Sequence, residues 1–391
     1  MKLTVIGLGQ CGSRIADQFA RLDRKAQVER KTHLAPNVFA VNTDQADLTG
    51  LNYIKKDYLH RIIIGLRQTL GHGVGKINEL GAELAREDGD KVIDAMKAEA
   101  GIYESHAFLL VAGTAGGTGS GAIPILAQMI KERYLSKPIY ALVVLPFEHE
   151  INSEARSVFN TATCLKSIYE VVDAVFLADN QRYVRKDASL INNIEQINRA
   201  IVLPFYDLMC AGEVTKQKHV GARTIDAGDL IATIEGWTAL GLGRTELPSL
   251  RFPWEIRKKH FREKALESFR GSQALDAAIS NLSISCDPKD SSKIIYAVSG
   301  PPKEMNMDMV KSISEYLKEI APSALIRGGD FPGEKHFIDV TLILSQLSSV
   351  PKIEMFYQKA LQYATDNKVQ IQEIQNKIQT LTDLGKGLPS L

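Results

Sequence analysis

A glycine-rich segment in the first third of the chain constrains the fold more than any other feature. Residues 113–121 read Gly-Thr-Ala-Gly-Gly-Thr-Gly-Ser-Gly, between an apolar run at 107–111 and an apolar helical pattern at 122–130. This order predicts a strand, a turn and a helix. The glycines let a ligand approach the backbone, and the helix start offers free N–H groups to an anion such as phosphate. A flexible glycine linker is the less favoured alternative, because the flanking patterns are strong.

Two further glycine-rich turns follow strand-like runs. Residues 7–12 (Gly-Leu-Gly-Gln-Cys-Gly) come after a run at 2–6, and by themselves they fit an NAD(P)-dependent dehydrogenase. That class predicts an acidic residue at the end of the second strand, about 20 residues on. The second strand, 38–41, instead ends in Asn42-Thr43-Asp44, and these residues lie farther from the first glycine turn than that spacing. No hydride-transfer site is evident. The third turn, residues 71–75 (Gly-His-Gly-Val-Gly), follows a strand at 62–64; the role of His72 in it stays open.

The first half of the chain repeats the order strand, loop, helix. Helices are predicted at 78–86 and 90–98, and further strands at 138–145 and 173–177. This order implies a parallel sheet with helices on both faces, which binds ligands beyond the carboxyl ends of its strands. Because every glycine-rich turn lies at such an end, the sequence predicts one nucleotide pocket.

The second half begins with a long helical pattern at 190–209, which Pro204 is expected to kink or divide. Asp226 and Asp229 follow at the start of a helix predicted at 230–235, and by themselves they are explained as an N-cap and a first-turn acid. The stretch 241–264 is basic and rich in loop residues, which favours a contact surface. Further helices are predicted at 265–280, 307–320 and 353–384, and strands at 294–298, 324–327 and 337–344. This alternation favours a smaller α+β domain.

Composition narrows the class of protein. A net charge of +1 gives no support for nucleic-acid binding, and no apolar run is long enough to span a bilayer. The four cysteines are widely spaced, with no Cys-x-x-Cys pair and no metal-binding spacing. We therefore expect a cytoplasmic protein without direct membrane insertion. The Walker A string is absent, so a P-loop enzyme is not expected.

The Gly-Gly-Thr-Gly-Ser-Gly core at 116–121 resembles the signature loop of the tubulin/FtsZ superfamily. Other strings resemble its archaeal CetZ branch in particular: 71–75, 78–83 (Asn-Glu-Leu-Gly-Ala-Glu), 211–214 (Ala-Gly-Glu-Val), 299–302 (Ser-Gly-Pro-Pro) and 327–330 (Arg-Gly-Gly-Asp). The resemblance extends from residue 1 to about residue 378. It implies an α/β fold of the tubulin/FtsZ type. Its parts would be a Rossmann-like parallel-sheet GTP-binding domain (1–188), a long central helix (189–212), a catalytic loop with its connecting helix (213–236), and a smaller α+β C-terminal domain with a terminal helix (237–391).

The resemblance also implies the site residues. The phosphates would contact Gln10, Cys11, Gly12, Ser13, Arg14, Gly116, Gly117, Thr118 and Gly119. Glu150 would contact the ribose, Asn180 the ribose or guanine, and Asn198 guanine. Arg156 matches a neighbouring arginine of undefined role. Asp226 and Asp229 would act on the GTP of the next subunit, although FtsZ-type loops have asparagine where this chain has Thr224.

The function implied by the resemblance is that of a self-assembling cytoskeletal GTPase. Head-to-tail filaments, with possible lateral sheets, would hydrolyse GTP to GDP at the subunit interface, stimulated by polymerisation. Mg²⁺ would be held mainly by phosphates and water. Control of cell shape is the implied role, because the tail lacks the adaptor motif of division-ring FtsZ. The alternatives are a filament scaffold with little hydrolysis and an FtsZ-type division protein.

Overall fold

A ten-stranded sheet forms the framework of the molecule, in the order β3-β2-β1-β4-β5-β6-β7-β10-β8-β9. The computed structural model describes residues 1–184, 190–210, 225–247, 261–305, 307–333 and 336–365. The strands are β1 (Leu3–Leu8), β2 (Asn37–Asn42), β3 (Arg61–Ile63), β4 (Ala107–Gly113), β5 (Ile139–Leu145), β6 (Ala174–Asp179), β7 (Gly236–Glu246), β8 (Ser291–Gly300), β9 (Leu325–Pro332) and β10 (Phe337–Leu347).

Helices cover both faces of this sheet. They are α1 (Gly9–Arg30), α2 (Gln45–Thr49), α3 (Leu66–Thr69), α4 (Asn78–Ala98), α5 (Thr118–Arg133), α6 (Glu148–Ser153), α7 (Ala155–Tyr169), α8 (Leu190–Cys210), α9 (Ala227–Thr233), α10 (Phe261–Ser280), α11 (Met307–Ile320) and α12 (351–365). One apolar core lies between the sheet and α4, α5, α7, α10 and α11. A second core lies on the opposite face, under α1, α8 and α9.

Strands β1 to β6 are parallel throughout, as the sequence predicts. Strands β4 and β5 are buried along almost their whole length, because helices cover both of their faces. All turns that follow these strands therefore open at one edge of the sheet. This arrangement confirms the predicted fold class and gathers the glycine-rich turns at one place.

Strand β7 joins the two halves of the molecule. Its first residues, Gly236 to Thr238, pair in parallel with β6, and from Ala239 onwards it pairs antiparallel with β10. Strands β10 and β8 are antiparallel, whereas β8 and β9 are parallel. The mixed C-terminal half agrees with the predicted α+β character. Within the described residues, no helix is both long and apolar enough to cross a membrane.

Two sequence-based expectations are wrong. The first residues of the stretch 241–264, expected to be rich in loop residues, continue β7 to Glu246; residues 248–260 of that stretch lie outside the described residues. The two helices expected on either side of Gly89 form one helix, α4. Helix α8 continues through Pro204 to Cys210, so the proline does not end its first part, and a kink at Pro204 stays a prediction. Part of the predicted terminal helix, residues 366–384, lies outside the described residues, as does the string 211–214.

Candidate nucleotide-binding site

A cleft of about 380 Å³ lies at the carboxyl ends of the parallel strands. Turns after β1, β2, β3, β4, β5 and β6 contribute to it, together with one side of α8. Its wall includes these residues expected from the resemblance: Gln10, Cys11, Arg14, Gly116, Gly117, Thr118, Gly119, Glu150, Asn180 and Asn198. The structure thus brings together residues that are far apart in the sequence.

Two long helices begin at this cleft without a side-chain cap. The N-cap of α1 is Leu8 and that of α5 is Gly117, and neither side chain accepts a hydrogen bond from its helix. Neither helix has an acidic residue in its first turn. The first N–H groups of both helices are therefore free to donate, and both positive dipole ends face the same cavity. This arrangement suits a polyanion such as a chain of phosphates.

The two turns that precede these helices are in close contact. Gly9 has φ of 66°, and a side chain there would bring a Cβ to within 2.9 Å of the Gly119 nitrogen. Gly117 lies against the 71–77 turn, since its Cβ would come within 2.8 Å of the Ile77 nitrogen. Only glycine allows both approaches. The backbones of three turns thus form one surface on one side of the cleft.

Gly12 and Ser13 do not line the cleft. Gly12 packs on β4, where a Cβ would lie 2.0 Å from the Val111 carbonyl oxygen. Ser13 is fully buried, and its hydroxyl lies 3.5 Å from the carbonyl oxygen of Gly7. The structure therefore does not bring these two residues to the lining of the cleft, and a contact of either with the phosphates stays a prediction. Both residues instead fix α1 against the sheet.

Polar side chains from β6 and α8 define the other end of the cleft. Asn180 directly follows β6, and Asn198 lies on α8 with only 8% of its surface exposed. No residue in the described part of the chain forms a hydrogen bond with the Asn198 side chain. Buried amides are normally hydrogen-bonded, so this side chain is suited to bind a ligand that carries donors and acceptors. Glu150 accepts a hydrogen bond from the Phe147 N–H at 2.9 Å and lines the cleft from α6.

Asn160 is a functional candidate that the sequence does not reveal. It is fully buried in α7, and its Nδ2 donates to the carbonyl oxygens of Lys76 at 2.9 Å and of Ala115 and Gly116 at 3.1 Å. It therefore ties the 71–77 turn to the loop before α5. A mid-helix asparagine without a motif gives no signal in the sequence. Only the packing of α7 beneath both turns shows its role.

Acidic side chains near the cleft are already engaged in hydrogen bonds. Asp47 accepts from Gln10 Nε2 at 2.6 Å and from Asn42 Nδ2 at 3.0 Å. Asp44 caps α2 by accepting from the N–H groups of Ala46 and Asp47. Within the described ranges, no group of three or more His, Cys, Asp or Glu side chains is placed to hold a metal ion. Burial, followed by the charge of Glu150, raises the pKa of the Cys11 thiol to about 12, against a smaller opposing effect of Arg14.

Arg156 and His72 do not line the cleft. Arg156 forms an ion pair with Glu79, and its Nε donates to the Lys76 carbonyl at 3.3 Å, so it supports the 71–77 turn from outside. His72 is exposed, and its backbone forms an isolated bridge with Asp44.

Asp226 and Asp229 lie away from the cleft of their own chain, at the start of α9. The Asp226 carboxylate accepts from the Asp229 N–H at 2.8 Å, and the Asp229 carboxylate accepts from the Asp226 N–H at 3.4 Å. Arg327 donates to the second oxygen of Asp229 at 2.7 Å. These bonds confirm the local explanation of a capped helix. Thr224 lies outside the described residues.

Comparison with known proteins agrees with this geometry. The family model "Tubulin/FtsZ family, GTPase domain" matches residues 2–186, and "Tubulin-like CetZ, C-terminal domain" matches residues 187–362. Tubulin-like protein CetZ1 of Haloferax volcanii is 32% identical, over 95% of each chain.

Two solved structures of that organism share the fold. The GDP-bound monomer of CetZ1 has a TM-score of 0.79 at 30% identity, over 93% of this chain and 100% of the other. The GTPγS-bound protofilament of CetZ2 has a TM-score of 0.80 at 26% identity, over 94% of this chain and 100% of the other. The chain belongs to the tubulin/FtsZ superfamily and, within it, to the CetZ family.

Proposed function

We propose that this protein binds GTP in the cleft and assembles head to tail into cytoplasmic filaments that hydrolyse it. The observation that carries the proposal is that two uncapped helix starts and the buried amide of Asn198 line one cavity. Among the described residues, that amide has no hydrogen-bond partner. The first feature suits phosphates and the second suits the edge of a base. CetZ1 of Haloferax volcanii in its GDP-bound form and CetZ2 with GTPγS support the choice of guanine nucleotides.

The cleft residues would bind and orient the nucleotide. N–H groups at the starts of α1 and α5 donate to the phosphates, while Arg14 adds positive charge at the mouth. The buried hydrogen bond between the hydroxyls of Thr43 and Thr118, 2.7 Å long, holds the start of α5 against β2. Mg²⁺ would neutralise phosphate charge and be bound chiefly by phosphate oxygens and water, in keeping with the small number of free carboxylates nearby.

Hydrolysis would need a second subunit. The cleft carboxylates Asp44, Asp47 and Glu150 each accept a hydrogen bond from this chain, which fixes their orientation in the cleft. Asp226 is exposed and Asp229 is partly exposed at the start of α9. In a head-to-tail contact they would face the neighbour's terminal phosphate and orient the water or its cation. A contact of this kind repeats without closing and produces a filament.

A filament scaffold with little hydrolysis is the second candidate. It is favoured by the Asp229 carboxylate, which is already bound by Arg327 and by the backbone of Asp226. In either case we propose a role in cell shape rather than in a division ring. The lateral association of filaments also stays a proposal.

The first experiment measures GTP turnover against protein concentration, with light scattering recorded on the same sample. Turnover per molecule should rise above a threshold concentration together with scattering. Asp226→Asn and Asp229→Asn keep a capping side chain but remove the charge, so filaments should form while turnover falls by about 100-fold. Asp308→Asn, an exposed first-turn acid of α11, is the matched control and should behave as the unchanged protein.

Three outcomes separate the candidates. Scattering with negligible turnover would favour the scaffold. Turnover that is flat with concentration, without scattering, would contradict the shared site. Asn variants with unchanged turnover would remove Asp226 and Asp229 from the reaction.

A further inference from the structure

The string Arg-Gly-Gly-Asp at 327–330 is a motif that the proposed function has not used. It lies in β9, which forms one edge of the ten-stranded sheet. Arg327 pairs in parallel with Ile295 of β8, a residue of the core under α1, α8 and α9. The next residue, Gly328, lies on the opposite face, where a Cβ would come within 2.0 Å of the Tyr296 ring. The alternation of the strand therefore places Arg327 on the face of the sheet that α9 covers.

Arg327 binds the carboxylate of Asp229 at the start of α9. Its Nη1 donates to Asp229 Oδ1 at 2.7 Å and lies 3.5 Å from the carbonyl oxygen of the same residue. The two side chains are 33% and 40% exposed. In the part of the chain that the structure describes, no other cation forms an ion pair with Asp229 or with Asp226. One guanidinium thus accompanies the two acids that we propose to act on the neighbour's nucleotide.

The two oxygens of the Asp229 carboxylate are held differently. Oδ1 accepts a short hydrogen bond from the charged guanidinium of Arg327, which is a strong kind of hydrogen bond. Among the described residues, Oδ2 accepts only a 3.4 Å bond from the Asp226 N–H. Because a carboxylate oxygen can accept more than one hydrogen bond, Oδ2 can still bind a water. The pair with Arg327 therefore fixes the carboxylate without occupying the oxygen that a water would use.

The attachment of α9 to the sheet depends little on this ion pair. Exposed pairs of this kind contribute little net stability. The helix is held by its apolar side, where Leu230 is 0% exposed and the C-cap residue Ile234 is 4% exposed. Just beyond the same end, Lys293 of β8 forms a second ion pair, with Glu235 at 2.5 Å. The loss of Arg327 should therefore leave α9 in place and change only the orientation of the acid at its start.

We propose that Arg327 is a positioning residue for hydrolysis at the subunit interface. It holds the Asp229 carboxylate in the orientation in which Oδ2 binds the attacking water, or its cation, at the neighbour's nucleotide. It acts through Asp229 and does not itself contact the phosphates. The bond to Oδ1 favours a scaffold if Oδ1 is the reacting oxygen; with Oδ2 as that oxygen, the same bond supports hydrolysis. This inference rests on the proposed function and adds to it the group that orients the acid of the second subunit.

The test is a double-mutant cycle on GTP turnover, measured well above the threshold concentration for scattering. Asp229→Asn should reduce turnover per subunit about 100-fold, and Arg327→Met about tenfold, because a small displacement of a reacting group can cost up to about 100-fold in rate. The double variant should be no slower than Asp229→Asn, since Arg327 acts only through that carboxylate. Arg327→Lys should be faster than Arg327→Met, because an ammonium can form the same ion pair. The scattering threshold and the affinity for GTPγS should stay unchanged in both Arg327 variants.

Lys293→Met is the matched control, because Lys293 also joins a strand of the C-terminal half to an acid next to α9, at the end away from Asp229. It should change the free energy of unfolding about as much as Arg327→Met and leave turnover unchanged. An equal fall of turnover in both variants would show that Arg327 only anchors α9, and losses that multiply in the double variant would show that it acts independently of Asp229. Either result, or unchanged turnover in Arg327→Met, overturns the inference. If the unchanged protein hydrolyses no GTP, or Asp229→Asn hydrolyses it at the normal rate, the proposed shared site itself fails, and this inference with it.

Discussion

At the residue scale, we expect the choice of base to depend on one side chain, that of Asn198. Asn198 has 8% of its surface exposed, lines the cleft and has no hydrogen-bond partner among the described residues. An amide can donate and accept at once, as the edge of guanine requires. Leaving such a group unpaired in a buried site costs about 1–3 kcal/mol, so a base that pairs with it is preferred over one that does not.

We therefore expect Asn198→Leu to reduce GDP affinity by about 10- to 100-fold, the equivalent of a lost buried hydrogen bond. Weak binding of ADP should change little, so the preference for guanine should collapse. Gln196→Leu, an exposed position on the same helix, serves as the control and should leave both affinities intact. Titration of fluorescent GDP and ADP analogues measures both. Parallel losses for the two nucleotides would mean that Asn198 only supports the shape of the cleft.

The role of a single residue can be predicted from the sequence when its partners are close to it in the chain. Gln10 and Thr118 lie in the first turns of α1 and α5, next to glycine-rich segments that follow strands, and such positions can be inferred from sequence order. Asn160 cannot, because its three acceptors belong to turns that are distant in the chain. Gly12 and Ser13 stand in the same turn as Gln10, yet the helical period of α1 directs them at the sheet. A motif identifies the turn, and packing decides which of its residues face the ligand.

At the scale of elements, close packing explains why two glycine-containing segments differ from the predicted loop and helix break. Gly241 and Gly243 suggest a loop, but α10 lies directly on β7 there. A Cβ on Gly243 would come within 1.9 Å of the Ala274 carbonyl oxygen. Gly89 suggests a break between two helices, whereas in α4 it makes room for Met129 of α5. In both cases glycine permits a close approach between elements, and local propensity cannot distinguish this role from a turn.

The helix α9 offers a separate test of what Asp226 does for folding. Its carboxylate caps the helix, so Asp226→Ala should reduce the free energy of unfolding by about 1 kcal/mol, whereas Asp226→Asn should reduce it by much less. Urea denaturation below the assembly threshold measures this. Together with turnover, it separates the two roles: the asparagine variant should fold as the unchanged protein does and still hydrolyse poorly. An asparagine variant as unstable as the alanine variant would mean that the charge itself stabilises α9.

At the scale of the whole molecule, the parallel half and the C-terminal half share both apolar cores. Strand β7 pairs with β6 over only three residues. Among the polar contacts between the halves is a buried ion pair: Lys352 Nζ of α12 lies 2.6 Å from Asp179 Oδ2 at the end of β6. These side chains are 16% and 7% exposed. Asp179 also accepts from the Gln181 N–H and directly precedes Asn180, so this pair connects α12 to the wall of the cleft.

Removing one partner of this ion pair should therefore affect both stability and binding. Lys352→Met leaves the Asp179 carboxylate buried without its partner, and we expect the free energy of unfolding to fall by about 3–5 kcal/mol. The double variant Lys352→Met, Asp179→Asn leaves no unpaired charge and should recover most of this loss. Because Asp179 fixes the backbone next to Asn180, the single variant should also bind GDP more weakly, in parallel with its instability.

Lys311→Met provides the control, since Lys311 forms an exposed pair with Glu315 on α11, and its loss should change neither quantity appreciably. Chemical denaturation and GDP titration of all variants below the assembly threshold give the complete cycle. If the free energy of unfolding falls while the GDP affinity stays constant, the ion pair stabilises the contact between the two halves but does not affect nucleotide binding. If the free energy of unfolding and the GDP affinity both fall in Lys352→Met and both recover in the double variant, α12 and the nucleotide site are energetically coupled through Asp179. Nucleotide binding next to β6 would then stabilise the position of α12 in the C-terminal half.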